Sequence, residues 1–253
     1  MAINNYGYAG GMLTTPAGEG HAFVTGANGA PLDLGVLPGG SWSAAYGLND
    51  AGQAAGYGDI GGGRFRGFIW SPASGTVILP TFGGRSSYAL AINGAGQAVG
   101  HTQARDGHLH AFLASGGALT DLGTLGGHAS YAYGINSSGA VVGSSRTARG
   151  GDTHAFLFED GVMFDLNTLI GGAAGWELTQ AFGINNAGQI VGSGYYYGAA
   201  MAFRLDRVGA EASLAAITPI AEPVPEPAAQ WLVLAGLATL ALRAIARARA
   251  AYR

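Results

Sequence analysis

The sequence contains no cysteine and no lysine, and only 11% of its 253 residues are charged. Without cysteine there can be no disulfide, no thiol chemistry and no zinc site built on thiolates. Every basic residue is an arginine, and the arginines do not cluster within the first 242 residues. The positive patch that neutralises phosphates in nucleic-acid binding is therefore missing, and we expect no nucleic-acid partner.

Glycine, by contrast, is abundant, with 46 residues, and 48% of the chain is hydrophobic. This composition is too rich in glycine for a helical protein, yet it can bury a sizeable core. It predicts many short strands joined by tight turns.

A repeat of about 44 residues runs through the chain. A repeat of this length decides the architecture of the fold. One repeated column is an aromatic residue that follows alanine or glycine: Phe23, Phe68, Phe112, Phe156 and Phe203. In three of the five copies a histidine comes first, giving His-Ala-Phe: His21, His110 and His154.

A second column has the pattern Asn-x-x-Gly, which favours a type I turn followed by a left-handed residue. Its full copies are Asn49 with Gly52, Asn93 with Gly96, Asn136 with Gly139, and Asn185 with Gly188. Apolar and small residues alternate on both sides, as strands do. Each copy therefore predicts a hairpin tip, and each repeat predicts four short strands.

The sequence thus predicts an all-β fold: a β-propeller of about five four-stranded units, with a β-solenoid as the alternative, since spacing does not separate a ring from a stack. The units span about residues 1–40, 41–84, 85–127, 128–172 and 173–220. We expect the first unit to lack its leading strand. The last has a weak fourth strand near residues 214–217.

The His-Ala-Phe triplets resemble those of the HAF-repeat family. The resemblance covers roughly residues 1–205, and two copies depart from it, Arg66-Gly67-Phe68 and Met201-Ala202-Phe203. The family is known as a probable extracellular repeat with a poorly defined biochemical role. The resemblance therefore implies a location rather than an activity.

The C-terminal part changes character after Ala221. Prolines interrupt residues 221–227, which predicts a stiff linker; an apolar run from Ala228 to Leu242 follows, and then Arg243, Arg247, Arg249 and Arg253. Extended to Ala246, the run makes a helix of about 28 Å, close to a bilayer core. It predicts a transmembrane helix over 228–246 with a basic cytoplasmic tail, 247–253. A buried or interfacial helix is the alternative.

This order of parts, beginning with Val224, Pro225, Glu226 and Pro227, resembles the PEP-CTERM sorting signal. In that family an exosortase, a membrane enzyme held to process the tail, reads the motif in bacteria that make exopolysaccharide. The resemblance implies export and an N-terminal signal peptide, yet residues 1–8 show no such leader. We therefore expect the natural start to lie upstream of Met1. A tail-anchored intracellular protein, or a decayed gene product, is the alternative.

No catalytic, cofactor or metal motif stands out. His108 and His110 could face one way on a strand, but His110 belongs to the repeat column, so we predict no metal site. The repeated acids Asp33, Asp121 and Asp165 occupy equivalent positions, which suits turn capping better than glycoside chemistry. We predict no catalytic residues, no cofactor and no enzyme.

Aromatic residues offer a possible ligand surface, because such rings stack on sugars. We expect those in loops to be exposed, namely Trp42, Trp176, Tyr195, Tyr196 and Tyr197, and those in repeat columns to pack between units. The leading hypothesis is an exported surface or matrix protein, a structural or binding scaffold in contact with exopolysaccharide. A propeller enzyme acting on extracellular glycan and a tail-anchored intracellular protein are the alternatives.

Overall fold

A computed structural model describes residues 1–26, 28–148, 151–173 and 175–207, and the backbone of 217–219. The predicted all-β fold with several antiparallel sheets is confirmed. Within the described ranges no helix is both long and apolar enough to cross a membrane. The predicted transmembrane helix, the Val224–Pro227 motif and the four C-terminal arginines lie outside these ranges.

The strands form five units, in each of which four consecutive strands pair antiparallel in sequence order. A parallel pairing of Leu109 with Ala129 joins units 3 and 4 into one eight-stranded sheet. Unit 1 contains β1 (Ala2–Ile3), β2 (Ala9–Thr14), β3 (Gly20–Thr25) and β4 (Pro31–Gly35). Unit 2 contains β5 (Ser43–Leu48), β6 (Ala54–Asp59), β7 (Phe65–Ser71) and β8 (Gly75–Ile78). Unit 3 contains β9 (Gly83–Ile92), β10 (Ala98–Ala104), β11 (Leu109–Ser115) and β12 (Ala118–Asp121).

Units 4 and 5 follow the same plan. Unit 4 contains β13 (Gly126–Ile135), β14 (Val141–Thr147), β15 (Thr153–Glu159) and β16 (Val162–Asp165), and the four-residue helix α1 (Leu166–Leu169) comes next. Unit 5 contains β17 (Trp176–Ile184), β18 (Ile190–Tyr196), β19 (Ala199–Arg207) and β20 (Ile217–Pro219).

Two details differ from the sequence prediction. Unit 1 does have a leading strand, because Ala2 pairs with Gly10 and Ile3 with Ala9; at two residues it is too short to show alternation. Strands β9 and β13 begin at Gly83 and Gly126, two residues before the predicted starts of their units. The fourth strand of unit 5 lies at residues 217–219 and overlaps the expected stretch, 214–217, only at residue 217.

The Asn-x-x-Gly motifs form the turns between the first two strands of the units. In unit 2 the Gly52 N–H donates to the Asn49 carbonyl oxygen at 3.1 Å, and Gly52 has a φ of +74°, which favours glycine. The Asn49 side chain accepts the Gln53 N–H at 2.9 Å and so closes the loop. The same backbone bond recurs in the other four units.

A further glycine, four residues after the glycine of each Asn-x-x-Gly motif, lies opposite the repeated phenylalanine on the neighbouring strand. In unit 4, Gly143 pairs with Phe156, and a Cβ on Gly143 would collide with the Tyr131 carbonyl oxygen and the Phe156 ring. The corresponding pair in unit 3 is Gly100 with Phe112. The two sequence columns thus form one cross-strand contact, in which the ring covers the glycine.

The hydrophobic core lies between the units. Four buried clusters form among the described residues, and each joins two consecutive units. Serine hydroxyls add a polar link across three of these interfaces, and between units 2 and 3 the serine is Ser87. The Ala111 N–H of unit 3 donates to Ser130 Oγ of unit 4 at 2.8 Å, and Ser130 Oγ donates back to the Gly123 carbonyl oxygen. Ser43 links units 1 and 2 in the same way.

A chain of asparagines, which we call the asparagine ladder, connects all five units. Each Nδ2 donates to the backbone carbonyl of the next asparagine at 2.8–3.3 Å, in the order Asn4, Asn49, Asn93, Asn136 and Asn185. The residues just before these asparagines line one cavity of about 280 Å³. The units therefore surround a common axis, whereas the solenoid alternative would place units 1 and 5 far apart.

Candidate functional site

A continuous line of side-chain rings crosses units 2 to 5, and we call it the aromatic row. Neighbouring ring centroids lie 4.7–6.5 Å apart, within the usual range for aromatic pairs. All its rings are at least partly exposed; those of Tyr46 and Phe182 are 37% and 50% exposed. Its members are Trp42, Tyr46, Tyr57, Phe65, Tyr88, His101, Tyr131, Tyr133 and Phe182.

Local backbone irregularities help to place the row. Tyr46, Tyr133 and Phe182 each occupy a position on the first strand of a unit where the pairing with the second strand shifts by one residue. Such a bulge turns the extra residue away from the regular alternation. The bulge thus occurs at the same repeat position in three units, and in each of them the ring at that position belongs to the aromatic row.

The second strands supply rings that the repeat analysis did not single out. Tyr57 and His101 each follow the glycine that lies opposite a repeated phenylalanine, so they occupy the same position in units 2 and 3. His101 stacks on Tyr88 with a centroid distance of 4.7 Å and meets the edge of Tyr131 at 4.9 Å. In the sequence, these two members of the row could have been found from the aromatic ring that directly follows that glycine.

Burial and hydrogen bonding alter the protonation of the row. Burial, together with the hydrogen bond between the Tyr46 and Tyr57 hydroxyls at 3.0 Å, raises the pKa of Tyr57 well above its usual value. Burial also raises the pKa of Tyr133. The same effect lowers the pKa of His101 to about 4, and its buried Nδ1 has no hydrogen-bond partner among the described residues. Tyr57, Tyr133 and His101 are therefore uncharged at neutral pH.

The five aromatic residues predicted as a ligand surface fall into two groups. Trp42 belongs to the aromatic row through Tyr57, at 5.5 Å. Three others form a separate cluster in unit 5, where Trp176 packs on Tyr196 at 5.0 Å and Tyr196 on Tyr197 at 4.7 Å, and the remaining one, Tyr195, lines a neighbouring cavity. The prediction that they lie in loops is wrong for Trp176, Tyr195 and Tyr196, because β17 and β18 include them.

A larger cavity lies next to this cluster. It has a volume of about 670 Å³ and is lined mainly by β17, β18 and β19, with Asp152 and Thr153 of unit 4 at its side. Two carboxylates, Asp152 and Glu177, share it with Tyr195.

The histidine of the His-Ala-Phe motif pairs with the aspartate of the neighbouring fourth strand. The distances from His Nδ1 to the carboxylate are 2.9 Å for His21 with Asp33, 2.8 Å for His110 with Asp121 and 2.7 Å for His154 with Asp165. The hydrogen bond to Asp33 raises the pKa of His21. Each aspartate also accepts the N–H of the residue two positions on, as a turn cap does.

In unit 2 both partners of this pair are replaced, by Arg66 and Ile78. Because the histidine and the aspartate are lost together in this unit, we infer that these two repeat positions form one structural contact. The three pairs occupy separate units, so they do not combine into one site. Within the described ranges, no three His, Asp or Glu side chains converge as metal ligands, and His108 instead contacts Asp106 at 3.2 Å.

No known protein family and no curated protein matches the chain. Among solved structures it is similar to the acylaminoacyl peptidase of Pyrococcus horikoshii, with 14% identity over 87% of this chain and 38% of that one, and a TM-score of 0.51. It is also similar to TolB from Acinetobacter baumannii, with 15% identity over 79% and 50% of the two chains and a TM-score of 0.49. The chain spans at most half of either protein. At such identity the likeness concerns the fold alone, which is β-propeller-like.

Proposed function

We propose that this protein is a non-enzymatic scaffold that binds polysaccharide through its aromatic row. The observation that carries the proposal is the continuity of the row, with partly exposed rings across four units. Aromatic rings bind the apolar faces of sugars, and a repeated backbone presents them at regular intervals, which suits a repetitive polymer. The uncharged state of Tyr57, Tyr133 and His101 keeps this surface apolar at neutral pH.

We place this scaffold at the bacterial cell surface or in the extracellular matrix, with exopolysaccharide as its ligand. The support is the sequence resemblance to HAF-repeat proteins and to the PEP-CTERM signal. In this proposal an exosortase-type enzyme processes the tail at Val224–Pro227, and the helix over 228–246 holds the chain transiently in the inner membrane. Protease added to intact cells should digest residues 1–207; full protection would place the protein inside the cell.

Binding can be tested with the full chain in native gels containing immobilised bacterial exopolysaccharides or β-glucans. We expect retarded migration, and we expect Tyr46→Ala and Phe182→Ala each to weaken binding about five- to tenfold, since one aromatic contact contributes about 1 kcal/mol. Tyr197→Ala is the matched control, because this ring is 73% exposed and lies outside the row. No retardation, or an equal loss in the control, would overturn the proposal.

A glycan-degrading enzyme is the second candidate, and the cavity that contains Asp152 and Glu177 favours it. Glycoside hydrolysis needs two such carboxylates across the scissile bond. Release of reducing ends from the same polysaccharides, abolished in Asp152→Asn or Glu177→Gln, would establish this activity. The binding proposal expects no release.

A further inference from the structure

Three arginines meet where units 2 and 3 join. We call them the arginine cluster: Arg64, Arg66 and Arg85. The Arg66 guanidinium donates to the backbone carbonyl oxygen of Phe65, at 2.9 Å, and to that of Arg85. Arg64 and Arg85 donate to carbonyl oxygens of one loop, residues 61–63, at 3.4 and 3.2 Å; we call it the glycine loop. The sequence does not show this cluster, because Arg85 lies 19 residues after Arg66.

The arginine cluster lacks a counter-charge within the part of the chain that the structure describes. There, none of its three side chains forms an ion pair with a carboxylate. Asp59 pairs with Phe65 across β6 and β7, but its carboxylate accepts the N–H groups of Ser41 and Trp42, at 2.7 and 2.8 Å. A guanidinium has five N–H donors, so most donors of the cluster remain available to a ligand.

The arginine cluster concentrates positive charge on an acidic protein. Arg64 and Arg85 are exposed, and burial, together with repulsion from Arg64, lowers the pKa of Arg66. Guanidinium groups nevertheless stay protonated in proteins. The chain as a whole has a net charge of −3. Like charges held close together repel one another, and an anion bound between them relieves that repulsion.

The fold does not require arginine at these positions. The equivalent positions hold other residues at the other junctions: Glu19, His21 and Ser41 between units 1 and 2; His108, His110 and His128 between units 3 and 4; Asp152, His154 and Glu177 between units 4 and 5. The junctions on either side of units 2 to 4 thus carry acids where the arginines stand. The departure from the repeat therefore favours a role in binding over a role in packing.

The arginine cluster adjoins the aromatic row at Phe65. This residue lies between Arg64 and Arg66, and its ring contacts those of Trp42 and Tyr88 at 5.9 and 5.7 Å. The glycine loop beside it has a positive φ at all three positions and bears no side chains that would cover the guanidinium groups. A polymer that lies along the row can therefore extend onto the arginine cluster.

We propose that the ligand of the aromatic row is an acidic polysaccharide, whose carboxylates pair with the arginine cluster while its sugar rings stack on the row. The inference rests on the proposed function, because it names the kind of polysaccharide that the row binds. A uronic acid combines a ring with an apolar face and a carboxylate in one residue. Guanidinium groups bind such a carboxylate through two parallel hydrogen bonds.

Biolayer interferometry with the full chain and two immobilised polymers tests the preference for charge. The polymers are polygalacturonate and its methyl ester, which has the same backbone without the charge. At low salt the protein should bind polygalacturonate about tenfold more tightly, since several exposed ion pairs, each weak, act together. This preference should disappear at about 0.5 M salt, which screens exposed charges. Equal affinity for the two polymers at low salt would overturn the inference and leave the proposed function standing.

The arginines are tested with a double variant, Arg64→Gln with Arg85→Gln. Arg66 stays in place, because its side chain joins units 2 and 3. The double variant should bind polygalacturonate about fivefold more weakly and the methyl ester as well as before. Arg146→Gln with Arg204→Gln is the matched control, because it removes two positive charges from exposed sites in units 4 and 5. Equal losses in the two double variants would show a general effect of net charge and overturn the inference.

Two further measurements separate the charge from the sugar. Polyglutamate carries carboxylates without sugar rings, and the protein should bind it at least about tenfold more weakly than polygalacturonate, because it cannot stack on the row. Equal binding would mean a site for any polyanion, and the inference would be wrong. Tyr46→Ala should weaken the binding of both polygalacturonate and its methyl ester. Failure of the proposed function and failure of the charge preference therefore give different results.

Discussion

His101 combines a titratable ring with a position inside an aromatic surface. Burial between Tyr88 and Tyr131 disfavours its charged form and lowers its pKa from 6.5 to about 4. In the unfolded chain the imidazole takes up a proton as the pH falls below 6.5, while in the folded chain it does so only near pH 4. The unfolded state therefore binds more protons between these values, and stability falls as the pH falls.

The prediction concerns His101→Phe, which keeps an aromatic ring but cannot be protonated. Between pH 7.5 and 5.0 the wild type should lose about 2 kcal/mol more unfolding free energy than the variant. Urea denaturation at the two pH values measures this difference. The raised pKa of His21 acts in the opposite direction, stabilising the fold as the pH falls, but it is common to both proteins and cancels. Parallel pH profiles would contradict the burial of a neutral His101.

At the scale of single strands, the contact between glycine and phenylalanine governs how the second and third strands of a unit pair. Gly143 lies opposite Phe156, and its Cα faces the Tyr131 carbonyl of the first strand. A side chain there would push the first two strands apart and displace the ring. The requirement comes from close approach, since this glycine does not have a positive φ.

We therefore expect Gly143→Ala to lower the unfolding free energy by about 3 kcal/mol, because the backbone must move to make room. Gly94→Ala is the control, since Gly94 has open space around it and lacks a positive φ. It should change stability by less than about 0.5 kcal/mol. Thermal or urea unfolding of both variants measures these changes. Similar losses of unfolding free energy would mean that the close approach of Gly143 to the Tyr131 carbonyl is unimportant.

At the scale of the whole molecule, the asparagine ladder joins units that are adjacent around the axis. Asn93 is buried, and its Nδ2 donates both to Gln97 Oε1 within its own turn and to the Asn136 carbonyl of the next unit. Replacing the amide by a carboxylate removes both donors and brings a buried negative charge close to two acceptor oxygens.

Asn93→Asp should therefore destabilise the protein by about 3 kcal/mol at pH 7. The matched variant is Asn185→Asp, because Asn185 is exposed and makes no bond to a following unit among the described residues. It should cost less than about 1 kcal/mol. Both are measured by urea denaturation. An equal loss of unfolding free energy in the two variants would show that the asparagine stabilises only its own turn and not the contact with the next unit.

The features that depend on residues close together in the chain could be predicted from the sequence. The positive φ of Gly52 and the bond from its N–H to Asn49 involve four consecutive residues, so the motif itself carries the information. Strand β1 was missed because two residues cannot show a period. The placement of Trp176 and Tyr195 in strands was also missed.

The sequence by itself determined the repeat, the all-β class and the hairpin tips, since periodicity and turn chemistry are local properties. The tertiary structure alone decided the aromatic row and the asparagine ladder, because each depends on contacts between residues about 30 to 50 positions apart in neighbouring units. The physical reason is that one unit cannot bury its own apolar face. The structural role of each repeated residue therefore depends on the neighbouring unit that packs against it.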